Sequence, residues 1–120
     1  MQNNTITHVE IPAPDLAGAI VFYSAIFNWK IEIVKEESYA FFMIGDTNTG
    51  GGLNASLKVA KEETGCQIVV DVEDIEQTLA AVQAAGGKII LAKTDIGGGH
   101  GYYAVIQDPN GNQLQIHSRN

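Results

Sequence analysis

The chain has 120 residues, of which 45% are hydrophobic and 18% charged, with a formal net charge of −7. That length suffices for one folded unit with a real core, and its longest apolar stretches are too short to cross a bilayer. The acidic balance argues against nucleic acid, since phosphate binding needs a basic surface; the acids are spread along the chain, so solubility explains them first and a cationic ligand only second.

The start, Met1-Gln2-Asn3-Asn4, lacks the basic residues and apolar run of a signal peptide, which points to the cytoplasm. Residues 5–11 alternate and carry Ile and Val, as a strand does. Pro12 and Pro14 end it, and Asp15 is placed to accept from the free amides of a following helix. Leu16, Ile20, Tyr23 and Phe27 recur at helical spacing, with Ala19, Phe22 and Ile26 widening the apolar face. Asn28 suits a left-handed helix end. Trp29 to Val34 and Tyr39 to Ile44 predict two more strands, followed by the turn-rich Gly45 to Gly50. Gly51 to Leu57 predicts a fourth strand against the resistance of Gly51 and Gly52 to regular strand structure. Residues 58–65 are a polar connection.

The same order then returns. Gln67 to Val72 predicts a strand, and Asp74 and Gln77 have capping-box spacing ahead of Ile75, Leu79 and Val82. Gly86-Gly87 stops that helix. Lys88 to Ala92, Tyr102 to Gln107 and Asn112 to His117 predict strands, separated by the glycine-rich Ile96 to Gly101 and the turn Asp108-Pro109-Asn110-Gly111. His8 precedes Asp15, and Gln67 precedes Asp74, by the same interval. A unit of about 60 residues therefore occurs twice, each reading β-α-β-β-β. The predicted fold is α+β, a single domain over 1–120 made of module 1 (about 5–57) and module 2 (about 66–118).

Three stretches carry a family resemblance. The first is Ile6-Thr7-His8-Val9-Glu10-Ile11 with Asp15-Leu16, Phe22-Tyr23 and Phe27-Asn28-Trp29. The second is Val70-Asp71-Val72-Glu73-Asp74-Ile75 with Ala84-Ala85-Gly86-Gly87-Lys88, and the third is Asp108-Pro109-Asn110-Gly111-Asn112. Their order and spacing resemble the vicinal oxygen chelate superfamily, which holds glyoxalase I, bleomycin-resistance proteins, fosfomycin-resistance enzymes and extradiol dioxygenases. The resemblance implies paired βαβββ modules whose curled mixed sheets enclose a cavity, and a homodimer. It also implies, in metal-dependent members, ligands on the first and fourth strands of each module. Those positions map to His8, Gln67 and Gln115, with the fourth near Asn54 and uncertain by a residue.

One imidazole with three neutral amides offers no anion to offset a dication, so no cofactor is expected. Weak occupancy by Ni, Zn, Mn or Fe stays open. Glu10 shares a strand face with His8, and His117 shares one with Gln115. If the first and last strands are neighbours, Glu10 and His117 meet, either to shape a pocket or as displaced ligands. Phe42 and Tyr103 are the expected aromatic walls, and His100 sits in a loop that reads as a flexible connection or a lid. Cys66, the single cysteine, has no partner for an internal disulfide and no evident activating base, and is expected to be buried and inert.

Three functions remain open. One is a protein that binds a small organic ligand through His8, Glu10, Phe42, Asn54, Gln67, Tyr103, Gln115 and His117. Another is a metal-dependent glyoxalase-like lyase or isomerase, or a dioxygenase, with Glu10 as its catalytic base. A third is a metal-free acid–base enzyme using His8 or His117 with Glu10.

Overall fold

The computed structural model describes residues 5–60 and 65–120; the start Met1–Asn4 and part of the connection between the modules lie outside them. Module 1 comprises β1 (His8–Pro12), α1 (Leu16–Phe27), β2 (Ile31–Lys35), β3 (Tyr39–Met43) and β4 (Gly50–Asn54). Module 2 comprises β5 (Val69–Asp71), α2 (Ile75–Ala84), β6 (Lys88–Asp95), β7 (Tyr102–Gln107) and β8 (Gln113–Ser118). The β-α-β-β-β order repeats as the sequence predicts. Each module forms one four-stranded mixed sheet, ordered β1-β4-β3-β2 and β5-β8-β7-β6. In each, the first strand runs parallel to the fourth and the other pairs are antiparallel.

Capping chemistry sets the helix ends. The Asp15 carboxylate accepts from Gly18 N at 3.1 Å, and Asp74 accepts from Gln77 N at 3.1 Å. Asn28 closes α1 at φ 58°, ψ 30°. Each helix covers one face of its own sheet. The core holds Phe22, Tyr23, Phe42 and Leu53 from module 1 and Ile75, Val82, Ile106, Leu114 and Ile116 from module 2. Trp29 is buried too, stacked on Phe42 with ring centroids 4.6 Å apart and planes 8° from parallel.

The Asp108–Asn112 turn is a clamp between modules. Asp108 is buried, and Tyr23 Oη of α1 donates to its Oδ2 at 2.8 Å. Its Oδ1 accepts from Asn110 N and Asn112 N, each at 2.9 Å. Asn112 Nδ2 donates to Pro12 O at 2.6 Å, and Asp15 N donates to Asn110 Oδ1 at 2.6 Å. Burial, reinforced by the adjacent Asp108, raises the Tyr23 pKa well above the ordinary phenol value, so it stays a hydroxyl donor.

The glycine run of β4 has a packing reason. A Cβ at Gly51 would collide with the Phe42 ring, and one at Gly52 with the Tyr39 hydroxyl. Aromatic side chains of β3 lie over this backbone from both sides, so the cost of glycine in a strand is offset by close approach.

Candidate functional site on the open sheet faces

Strand alternation sends Val9, Ile11, Ala40, Phe42 and Leu53 toward α1, and the intervening residues to the uncovered face. Two rows cross that face of the first sheet: Glu10–Gly52–Phe41–Glu32 and Pro12–Asn54–Tyr39–Lys35. Glu10 is their hub. Its Oε1 accepts from His8 Nε2 at 2.6 Å and from Tyr39 Oη at 3.0 Å, and its Oε2 accepts from Asn54 Nδ2 at 2.8 Å. A carboxylate only accepts, so His8 carries a proton on Nε2. The His8 and Glu10 side chains are 41% and 33% exposed, so the network remains open to a ligand. The His8 ring also stacks against Phe41 at 6.4 Å. Partial burial raises the Glu10 pKa, but the bonds from Asn54, His8 and Tyr39 outweigh it and leave the carboxyl below its ordinary 4.5. Tyr39 shifts the other way, raised by burial and by its bond to Glu10.

The second sheet presents the matching rows Val69–Gln115–Val105–Leu91 and Asp71–His117–Tyr103–Thr94. His117 Nδ1 lies 2.7 Å from Asp71 Oδ1 and its Nε2 lies 2.9 Å from His100 O. Both partners are acceptors, so the geometry suits the protonated ring, in which both nitrogens donate. Its pKa is raised, first by the His100 carbonyl and then by Asp71.

Several expectations are corrected by this geometry. Glu10 and His117 do not meet: β1 pairs with β4, β8 lies between β5 and β7, and each side chain has its own partners. Phe42 is not a wall of the open face; it is 1% exposed beneath Trp29, because the odd-numbered residues of β3 face outward, and Phe41 takes that place. Tyr103 does share a face with Gln115 and His117. Cys66 is exposed, since it lies in the connection ahead of β5. His100 contributes its carbonyl to the site region through the bond from His117. Tyr39, which organises Glu10, carried no signal in the sequence beyond alternation.

The register also moves one family position. Glu10 and Val69 each stand five residues before their helix caps, Asp15 and Asp74, and their fourth-strand partners are Gly52 and Gln115. Gly52 is therefore the counterpart of Gln115, and Asn54, beside Pro12, is the counterpart of His117, beside Asp71.

The family model of the Glyoxalase/Bleomycin resistance protein/Dioxygenase superfamily matches residues 5–116, nearly the whole chain. The chain belongs to this superfamily. Among curated relatives, it is 26% identical to a "Probable lactoylglutathione lyase" of Vibrio parahaemolyticus, across 97% of this chain and 91% of that protein. It is 28% identical to a glyoxylase-like domain-containing protein of Didymella fabae, across 95% and 93%. The fold matches the fosfomycin resistance protein FosX of Listeria monocytogenes with a TM-score of 0.79 at 16% identity, covering 98% of this chain and 94% of that one. At that identity the likeness concerns the fold. The E126Q variant of FosX was solved with Mn(II) and 1S,2S-dihydroxypropylphosphonic acid, so metal use exists among the superfamily's structures.

The residues here fit such a metal poorly. The four positions that the family resemblance assigns to ligands hold His8, Gly52, Gln67 and Gln115, that is one imidazole, two neutral amides and a glycine, and Gln67, expected on the first strand of module 2, lies ahead of β5. The space beside Gly52 is taken by the Tyr39 hydroxyl, and a Cβ there would stand 2.7 Å from Glu10 Oε1. No group of three or more His, Cys, Asp or Glu gathers among the described residues. Tight sites for divalent transition metals are built from imidazole, thiolate or carboxylate in numbers this set lacks.

Proposed function

We propose that this superfamily member binds a small organic ligand on its open sheet faces without a tightly held metal. The observation that supports this most is the place beside Gly52, where the Tyr39 hydroxyl and the Glu10 carboxylate stand in place of a fourth-strand ligand. Three donors hold Glu10 ionised with its pKa depressed. A carboxylate so satisfied is a poor proton acceptor near neutrality, which favours a fixed polar platform over a general base. The Phe41 ring beside His8 provides an apolar contact, and Val69, Val105, Leu91 and Tyr103 extend one on the second sheet. The mixture suits a ligand with an apolar body and a few polar atoms. We also propose a homodimer, since Met43, Val69 and Leu91 on these faces are 41%, 54% and 39% exposed.

The second reading is a metal-dependent lyase or dioxygenase of the glyoxalase type. It is favoured by the near full-length likeness to probable lactoylglutathione lyases and by the adjacent His8 and Glu10. A panel of small oxygenated ligands screened by thermal shift, with and without chelator, separates the two. Ligand-induced stabilisation that survives chelator and is lost in Glu10→Gln is expected. Stabilisation or turnover that needs added nickel, zinc, manganese or ferrous iron would replace the first reading with the second.

A further inference from the structure

We propose that the cleft between the two modules, on the helix-covered side of β1 and β5, is a second binding site for a small organic cation with an apolar body. β1 and β5 each end their own sheet, so neither strand is paired on the side away from it. The cleft there has a volume of about 1020 Å³. That is the size of a small-molecule site, and neither His8 nor Glu10 lines it, although Met43, Val69 and Asp71 at the edge of the open faces border it. Ile26 and Phe27 at the end of α1 and Val70 and Val72 at β5 make its apolar wall.

The charge at its lips decides the class of ligand. Four acids, Asp46, Asp71, Glu73 and Asp74, border the cleft against one base, Lys30. Asp71 is engaged by His117 Nδ1, and Asp74 by the backbone N–H of Gln77 at the start of α2. Asp46 and Glu73 take part in no ion pair among the described residues. They come from different modules, one from the loop after β3 and the other from the entrance to α2. An apolar cleft flanked by carboxylates repels anions and lowers the cost of bringing a weakly hydrated cation out of water. An ammonium with a hydrocarbon body meets both features, and a compact inorganic cation meets only one.

Trp29 supplies the readout. It is the chain's one tryptophan, it lines this cleft and it is 8% exposed. Benzyltrimethylammonium, titrated into the full chain, is expected to change Trp29 emission saturably. Benzylsulfonate, its anionic counterpart, is expected to give no saturable change. Asp46→Asn combined with Glu73→Gln should weaken the cation about fivefold or more, since two partly exposed charge contacts are lost. These are solvent-facing substitutions, so an unchanged melting temperature verifies the fold. Glu10→Gln should leave cation binding intact while abolishing ligand response at the open face, which separates the two sites. The proposal is overturned by an absence of saturable change in Trp29 emission together with an absence of heat in calorimetry. Equal affinity for the sulfonate, or binding lost in Glu10→Gln but kept in the double variant, overturns it as well. So does Trp29 emission that varies with protein concentration alone, which would show a second copy filling the cleft.

Discussion

Glu10 accepts three hydrogen bonds, and its environment dictates how the site responds to pH. Its folded pKa lies below 4.5, so its stabilising contribution is complete above that value and is lost as pH falls through the lower folded pKa. The stability difference between wild type and Glu10→Gln should therefore shrink as unfolding is followed from neutral pH to below 4.5; a difference that grows on acidification would refute the bonding scheme. Gly52 tests the same network from beneath. An added methyl would overlap both the Tyr39 hydroxyl and the ring carbon that carries it, and crowd Glu10 Oε1, so the Tyr39 side chain must swing away as a whole. Gly52→Ala should thus lose ligand binding at a stability cost of about 1 kcal/mol, and an unchanged denaturation midpoint would mean that Tyr39 does not pack on Gly52. His117 provides a third check. With both ring nitrogens donating, its NMR titration midpoint should lie above 6.5 and fall in Asp71→Asn. The interaction is present below the unfolded value of 6.5 and lost as pH rises through the raised folded one.

At the scale of elements, much of the fold was legible because its signals are local. Asp15, Asn28 and Asp74 act at the helix ends where spacing placed them, since a cap depends only on the next turn of chain. β4 read weakly because its glycines answer to β3, a tertiary cause that periodicity does not carry. β6 runs to Asp95 rather than Ala92 because pairing with β7 continues through two register shifts, and bulges leave no mark in alternation. The candidate site was half legible for the same reason. His8 and Glu10 share a strand face by counting, whereas Tyr39 and Gly52 join them only through register. The Asp108 turn was visible as a turn and hidden as a clamp, because its partners Pro12, Asp15 and Tyr23 are distant in sequence. Removing one donor to this buried carboxylate should be costly. Tyr23→Phe is expected to lose about 1–3 kcal/mol in denaturant unfolding, and a loss near zero would mean that Asp108 does not join the modules.

For the molecule as a whole, the question is what the two open faces do together. The positions that the family resemblance assigns to ligands fall into two groups, His8 in β1 and Gly52 in β4 on the first sheet, and Gln115 in β8 with Gln67 just ahead of β5 on the second, and the groups belong to different sheets. Protein purified without chelator or histidine tag is expected to carry far less than one equivalent of metal. Nickel, zinc, manganese and ferrous iron should leave its melting temperature unchanged. The size of the effect makes this decisive: a metal present at about 100 times its Kd adds about 2.7 kcal/mol, on the order of 10 °C for a domain of this length. If the donor set is the reason, restoring donors should restore binding. Gln67→His with Gln115→Glu joins an imidazole and a carboxylate to the existing His8 and Glu10, giving a set suited to zinc or nickel. A metal-dependent rise in melting temperature that appears in this double variant and disappears with His8→Ala would tie the lost affinity to those positions. A rise that also grows with protein concentration would mean that the two groups face each other between copies. Metal bound equally by the wild type would remove the donor-set argument and, with it, the metal-free reading of the site.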